Sequence, residues 1–231
     1  LNFEIICFIF FAISLVGLAN GCNMIDGVNG LSSFYFLTSF IFLDQVFQLT
    51  SSSYLYNFDY LIKLTILSLI VFICFNYPLG KIFLGDHGNY FLALLLGVFT
   101  IHFYSINLQL NPWGAILLLF YPIIEAIFTI MRIIFISKKN ILHPDTDHLH
   151  SKLFAYLKNY YFSVPYSNNF VLPILLIYWL LPSILFYFFY NDEVKIYTSL
   201  LALTILYIIN YIFISKLNNI NQDESYKSVS E

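Results

Sequence analysis

The sequence predicts an all-α, polytopic transmembrane helical bundle with about seven spans. Three observations carry that prediction. Hydrophobic residues make up 60% of the 231 positions and charged residues only 10%, against about a quarter charged in ordinary soluble domains. Mean hydropathy is +0.79. The apolar residues also fall in stretches near the roughly 20 residues that a helix needs to cross a bilayer. So few polar side chains exclude a disordered chain, a soluble globule and a domain with a basic nucleic-acid-binding face. No nucleic-acid partner is expected.

The stretches run in order. The first covers about Asn2 to Ala19, the second Leu31 to Leu49, the third Tyr60 to Tyr77 and the fourth Tyr90 to Leu108. The fifth, Pro112 to Ile136, is interrupted by Pro122, Glu125 and Arg132. The sixth is Phe170 to Tyr190 and the seventh Ile196 to Ile214. Runs such as Leu94-Leu95-Leu96 lack the alternation of barrel strands, so helices are favoured. Prolines 122, 173 and 182 are expected to kink their helices. The longest connection is 137–169, and 216–231 reads as a disordered polar tail. Residues 1–215 are taken as one transmembrane domain. No basic flank precedes the apolar run from Phe8 to Val16, which argues against a signal peptide. With Leu1 rather than Met in front, the chain reads as beginning inside a longer protein. Cys7, Cys22 and Cys74 match no metal or disulfide spacing.

Seven alternating spans put Asn20–Gly30, Pro78–Asn89, the 137–169 loop and the C-terminus on one side. Lys81, Lys138, Lys139, Lys152, Lys158, Lys216 and Lys227 fall there, with Arg132 at its edge. Excess lysine and arginine marks the cytoplasmic side. Asp44 and Asp59 lie near the opposite side and read as solvated.

The chemically pointed sequences all fall on that cytoplasmic side. Asn20 to Gly30 holds Asn23, Asp26, Gly27 and Asn29 where the first span ends. It reads either as a glycine-rich turn or as a cap that aims Asp26 at a bound metal. Leu84-Gly85-Asp86-His87-Gly88-Asn89 precedes a helix expected to begin near Asn89. There Asp86 is either a helix cap or a ligand for Mg²⁺, which favours hard oxygen donors. His143-Pro144-Asp145-Thr146-Asp147-His148-Leu149-His150 places two imidazoles two residues apart. They share one side only in an extended segment, where they are able to hydrogen-bond a diphosphate. Glu125 and Arg132 lie on one side of the fifth helix. Arg132 reads as snorkelling to the surface, and Glu125 as pairing across the bundle or supporting the site.

These sequences together resemble the polyprenyl-phosphate N-acetylhexosamine-1-phosphate transferases, relatives of phospho-MurNAc-pentapeptide translocase. Asn23 to Gly30 is similar to that family's Asn-x-x-Asp-Gly-x-Asp-Gly segment. Gly85-Asp86-His87-Gly88-Asn89 is similar to its Gly-Asp-x-Gly-Ser, and Pro144 to His150 to its Pro-Asp-x-x-His-Leu-His-His loop. Pro122 and Glu125 resemble its Pro-x-x-Asp helix. Asn29, Asn89, Glu125 and Ser151 depart from the pattern.

The resemblance implies a multi-pass enzyme of the bacterial cytoplasmic membrane, with its active face and C-terminus in the cytosol. The reaction it implies is transfer of a sugar-1-phosphate from a UDP-sugar to a polyprenyl phosphate, with release of UMP, in cell-envelope polysaccharide synthesis. It implies Mg²⁺ as cofactor, with Mn²⁺ as a substitute, held by Asp86 and Asp26. Asp26, Asn23 and Asp86 form its catalytic cluster, and His148, His150, Asn29 and Gly27 its substrate contacts. A homodimer belongs to the same expectation. The family's adjacent aspartate pair is not in this sequence and is expected upstream of Leu1, so the chain alone is expected to be inactive. A membrane transporter or an inactive structural membrane protein is the alternative.

Overall fold

The computed structural model describes residues 3–50, 56–137, 147–160 and 163–229. Among them the secondary structure is helical, with no strand. The helices are α1 (Phe3–Met24), α2 (Leu31–Thr50), α3 (Tyr56–Asn76), α4 (Gly85–Ile106), α5 (Trp113–Leu118) and α6 (Phe120–Arg132). A π-helical turn, Ile133–Ser137, ends α6. Then follow α7 (Leu149–Tyr160), α8 (Val164–Ile174), α9 (Leu176–Trp179), α10 (Leu181–Phe189) and α11 (Glu193–Val229).

By length and apolarity α1, α3, α4 and α11 suffice to cross a membrane, and Tyr166–Ile174 with Leu176–Phe189 pass the same test together as a pair bent by 50°, a broken span or a re-entrant loop. This is a multi-pass membrane protein. All seven apolar stretches are helical, but two fail that criterion. Ser32, Ser33, Thr38, Ser39, Asp44 and Gln48 dilute the apolar content of α2. The fifth stretch is divided at Leu119 into α5 and α6. The breaks in the sixth fall at Leu175 and Leu180, beside Pro173 and Pro182. Neither proline has an amide hydrogen to complete the helical ladder.

Glycines let the spans approach closely. A side chain at Gly21 in α1 would press into the backbone of Pro122 in α6, and one at Gly97 in α4 would meet Leu15 and Leu18 of α1. The core is strongly aromatic. Tyr35, Phe36, Phe40, Phe103, Tyr121, Tyr178, Phe186 and Tyr207 are all buried. Phe3, Phe8, Phe10 and Ile13 of α1 point outward. That pattern suits a helix surrounded by apolar material rather than water.

Several expectations need correcting. Helix α4 begins at Gly85, not near Asn89, so Asp86 lies inside its first turn and Leu84 caps it without a side-chain bond. Part of the expected long loop is helical, as α7 and the start of α8. The tail expected to be disordered continues α11 to Val229. Residues 215–229 contain neither Gly nor Pro, so no residue breaks the ladder. Asn218 anchors that extension by donating to the Lys152 carbonyl at 3.0 Å. Asp44 is buried rather than solvated, and accepts from Gln48 at 2.7 Å.

Candidate active site

The turn after α1 forms because Asn23, Gly27, Asn29 and Gly30 end helical propagation. The Asp26 amide donates to the Asn23 carbonyl at 3.2 Å, and the Leu31 amide to Val28 at 3.3 Å. Gly30 adopts φ +85°, a left-handed conformation that glycine enters freely. Its amide donates to Asn76 Oδ1 of α3 at 2.9 Å, and Ser33 Oγ donates to the same oxygen at 2.9 Å. The turn is thus pinned to the end of α3.

Asp26 is half-buried in this turn. Asn89, fully buried in the second turn of α4, donates its amide to Asp26 Oδ2 and accepts from Ser32 Oγ. Burial pushes the Asp26 carboxyl up to about 6, the Asn89 bond opposes this, and the charge of Asp86 pushes it further up. Asp86 is exposed. The two carboxylates therefore sense each other across sixty residues of sequence, one lodged in the turn and one at the solvent rim.

The histidine segment meets the same turn. His148 precedes α7 and His150 is its second residue. Their rings stack, with centroids 5.7 Å apart and planes inclined by 9°. This is the shared side that an extended lead-in allows. Gly27 abuts the His150 imidazole: a Cβ there would lie 2.6 Å from Cδ2 and closer still to Nε2. Only glycine lets the ring sit so near. Ser151 Oγ lies 3.1 Å from His150 Nε2. Burial lowers the His150 pKa to about 4, partly offset by the charge of Glu125 and reinforced by His148. The imidazole is therefore neutral at physiological pH.

Helices α6 and α11 hold this segment from behind. Glu125, fully buried, faces His148 Nδ1 with Oε1 at 3.1 Å and accepts from the Leu149 amide at 3.3 Å. Its Oε2 accepts from Tyr207 at 2.7 Å. Arg132 bridges to Asp147 at 3.2 Å, and Tyr211 donates to the Asp147 carbonyl at 3.0 Å. Arg132 is thus buried and paired instead of snorkelling.

The structure brings Asp26, Gly27 and His150 into one cluster, with Asn89 inside it, Asp86 beside it and His148 stacked behind. Asn23 sits half-buried at the end of α1 and reaches the turn through its backbone. Asn29 turns aside: its amide side chain donates to Asn169 at 3.2 Å, its backbone amide donates to Asn168 at 2.7 Å, and its side chain packs against Gly80. His143, Pro144, Asp145, Thr146, Lys138 and Lys139 lie outside the described residues. Sequence reasoning gave no part to Asn76, Asn168, Tyr207 or Tyr211. The signal for the tyrosines was their spacing of four, which puts two hydroxyls on one face of an apolar helix.

Among the described residues no group of three or more His, Cys, Asp or Glu side chains is arranged to hold a metal ion. The donor set that is present fits magnesium. That ion binds through one or two carboxylates and completes its shell with water and phosphate oxygens. Burial is the main cause of the raised Asp26 pKa, and the smaller contribution from the Asp86 charge is one that a dication would relieve. The buried imidazoles, engaged with Glu125 and Ser151, do not form a zinc site.

Fold and site together define a polytopic helical membrane protein with its polar chemistry gathered at one end of the bundle. Residues 1–104 match the model of glycosyl transferase family 4. Two curated relatives extend the likeness. The undecaprenyl-phosphate alpha-N-acetylglucosaminyl 1-phosphate transferase of Thermotoga maritima is 29% identical over 142 residues, covering 62% of this chain and 41% of that protein. The probable undecaprenyl-phosphate N-acetylglucosaminyl 1-phosphate transferase of Bacillus subtilis strain 168 is 31% identical over 149 residues, covering 62% and 39%. The chain thus spans about two fifths of the length of these relatives. No solved structure matches it.

Proposed function

We propose that this chain carries the nucleotide-facing part of a magnesium-dependent sugar-1-phosphate transferase. Its donor is a UDP-N-acetylhexosamine and its acceptor a polyprenyl phosphate. An oxygen of the lipid phosphate attacks the phosphorus that bears the sugar. The bond between the two donor phosphates breaks, and UMP leaves. The observation that carries this reading is the meeting of Asp26, Asp86 and His150 at one end of the bundle, with Gly27 against the imidazole. An anionic diphosphate needs counter-charge and hydrogen-bond donors at such a place.

The residues divide the work. Asp26 and Asp86 would hold Mg²⁺, and the chemistry it supplies is neutralisation of phosphate charge during transfer. Asn23 and Asn89 orient Asp26. His150, neutral, and His148 hydrogen-bond the donor diphosphate, and Gly27 gives them room. Asn29 acts on the substrate through the shape of the turn it fastens to α8. Between α1, α4, α5 and α6 lies an apolar groove of about 940 Å³, walled by Phe10, Leu15, Ile101, Ile123 and Ile127 among others. It suits the polyprenyl chain. The lysine-rich end that holds the site faces the cytosol, in the bacterial cytoplasmic membrane, and a homodimer is compatible with the outward apolar faces. The transporter alternative would put the polar helix breaks near mid-membrane, whereas Asp26 and Asp86 lie at helix ends.

The test uses the complete gene product in membranes. UMP release is followed from a panel of UDP-sugars, with and without Mg²⁺ and undecaprenyl phosphate. UMP is expected from a UDP-N-acetylhexosamine only when both are present, and Asp86→Asn should abolish it. Release from no donor, or release unchanged by Asp86→Asn, would remove the proposal.

A further inference from the structure

We propose that Glu125 is a positioning residue, which with Tyr207 sets the orientation and protonation pattern of His148. The inference rests on the transferase reading above, and it assigns a role to a buried carboxylate that this reading leaves unused.

A fully buried acid inside an apolar bundle is costly and needs compensation at both oxygens. Glu125 receives it. Oε1 is shared by His148 Nδ1 at 3.1 Å and the Leu149 amide at 3.3 Å, and Oε2 accepts from the Tyr207 hydroxyl at 2.7 Å. The contacts tie Glu125 on α6 to two other parts of the chain, α11 and the entry to α7. A carboxylate facing Nδ1 places a proton on that nitrogen. Nε2, across the ring, is then left to serve the substrate. The Leu149 amide fixes the backbone between the two histidines, so one carboxylate governs both rings.

The same two helices grip the segment again one turn further on. Thr129 Oγ1 stands 3.5 Å from His148 Nδ1, Arg132 bridges to Asp147 at 3.2 Å, and Tyr211 bonds the Asp147 carbonyl at 3.0 Å. Glu125, Thr129 and Arg132 are spaced by four and three, so they line one face of α6. Tyr207 and Tyr211 do the same on α11. Phe128 packs on both tyrosine rings, with centroids 5.4 and 4.6 Å away. Residues 147–150 are thus seated in a built cradle. Ordering of this kind around a histidine determines which ring nitrogen is left free.

The test is a double-mutant cycle in the complete membrane protein, with Glu125→Gln, Tyr207→Phe, His148→Ala and the two doubles that include His148→Ala. Two quantities are read: the kcat for UMP release from UDP-N-acetylglucosamine with undecaprenyl phosphate, and the Kd for UDP alone. Losing a hydrogen bond to a charged group predicts about a tenfold loss from Glu125→Gln or Tyr207→Phe in the presence of His148. Once His148 is gone the same changes should cost less than about threefold, since residues that act through one another are not additive. Glu125→Asp, which keeps the charge, should restore part of the Gln loss. Losses that multiply independently in the doubles would overturn the proposal. If Glu125→Gln fails to accumulate in membranes, the Tyr207→Phe cycle decides alone, because it removes one hydroxyl and no charge. Wild-type protein that binds UDP but releases no UMP would defeat the transferase reading and leave the Kd cycle to judge Glu125.

Discussion

Replacing Gly27 by alanine adds a single methyl group, and the structure says where it would go. The new Cβ would stand 2.6 Å from His150 Cδ2 and 3.2 Å from Cε1, and closer still to Nε2. Carbon atoms in contact rest at about 3.5–4.0 Å. The ring would therefore have to retreat by roughly 1–1.5 Å. It has little freedom to do so, being 3% exposed, stacked on His148 and tied to Ser151. Misplacement of a substrate-positioning group by about 1 Å costs on the order of a hundredfold in rate. Overpacking of this kind costs about 1–3 kcal/mol in stability. The assay is UMP release in membranes beside a thermal unfolding scan, with Gly17→Ala as the unfolding control. Gly17 lies in α1 with nothing within 4 Å of an added methyl, so that change should stabilise by about 0.5–1 kcal/mol through helix propensity. Gly27→Ala with more than half of wild-type activity would refute the claim that Gly27 holds open the seat of His150.

Further expectations follow from the same geometry. Burial depresses the His150 pKa to about 4, below the roughly 6.5 of an unfolded histidine. Its contribution to stability is therefore complete above pH 6.5 and is lost as the pH falls through 4; histidine ring NMR should show His150 unshifted between pH 7.5 and 5.5, and a midpoint near 6.5 would contradict the burial. Asp86→Asn removes a charge that raises Asp26, so the Asp26 midpoint, read by carboxyl NMR, should fall below 6; an unchanged midpoint would show that the two carboxylates are not coupled. Gly21→Ala drives a methyl into the Pro122 backbone and should cost about 1–3 kcal/mol, seen as a lower unfolding temperature. Asn218→Ala removes the bond to the Lys152 carbonyl and should increase protease cleavage of 216–229 without changing UMP release; unchanged cleavage would mean that the bond does not anchor the end of α11.

Helix content was legible in the sequence, because apolar length is a property of single segments. The clustering of residue 26 with residues 86 and 150 was legible as parity: an even number of antiparallel spans returns the chain to the same end. What held the cluster together was not legible. Asn89 read as a minor departure from a motif, yet it is the buried link between Asp26 and Ser32. Tyr207 looks like one more aromatic in an apolar span, and its bond to Glu125 depends on how α11 crosses α6. Nor was it legible that Asn29, in the most suggestive motif, spends its hydrogen bonds on α8. The end of α11 was misread because polar composition was taken for disorder, although a stretch without Gly or Pro can prolong a helix already nucleated upstream.

The most direct measurement counts phosphates on the lipid product. Undecaprenyl phosphate is incubated with the complete membrane protein, Mg²⁺ and UDP-N-acetylglucosamine, and the lipid fraction is weighed by mass spectrometry. Transfer of the sugar together with its phosphate predicts a lipid with two phosphates and one N-acetylhexosamine, matched by UMP in the aqueous phase. A lipid with one phosphate and the sugar, matched by UDP, or no new lipid at all, would contradict the account.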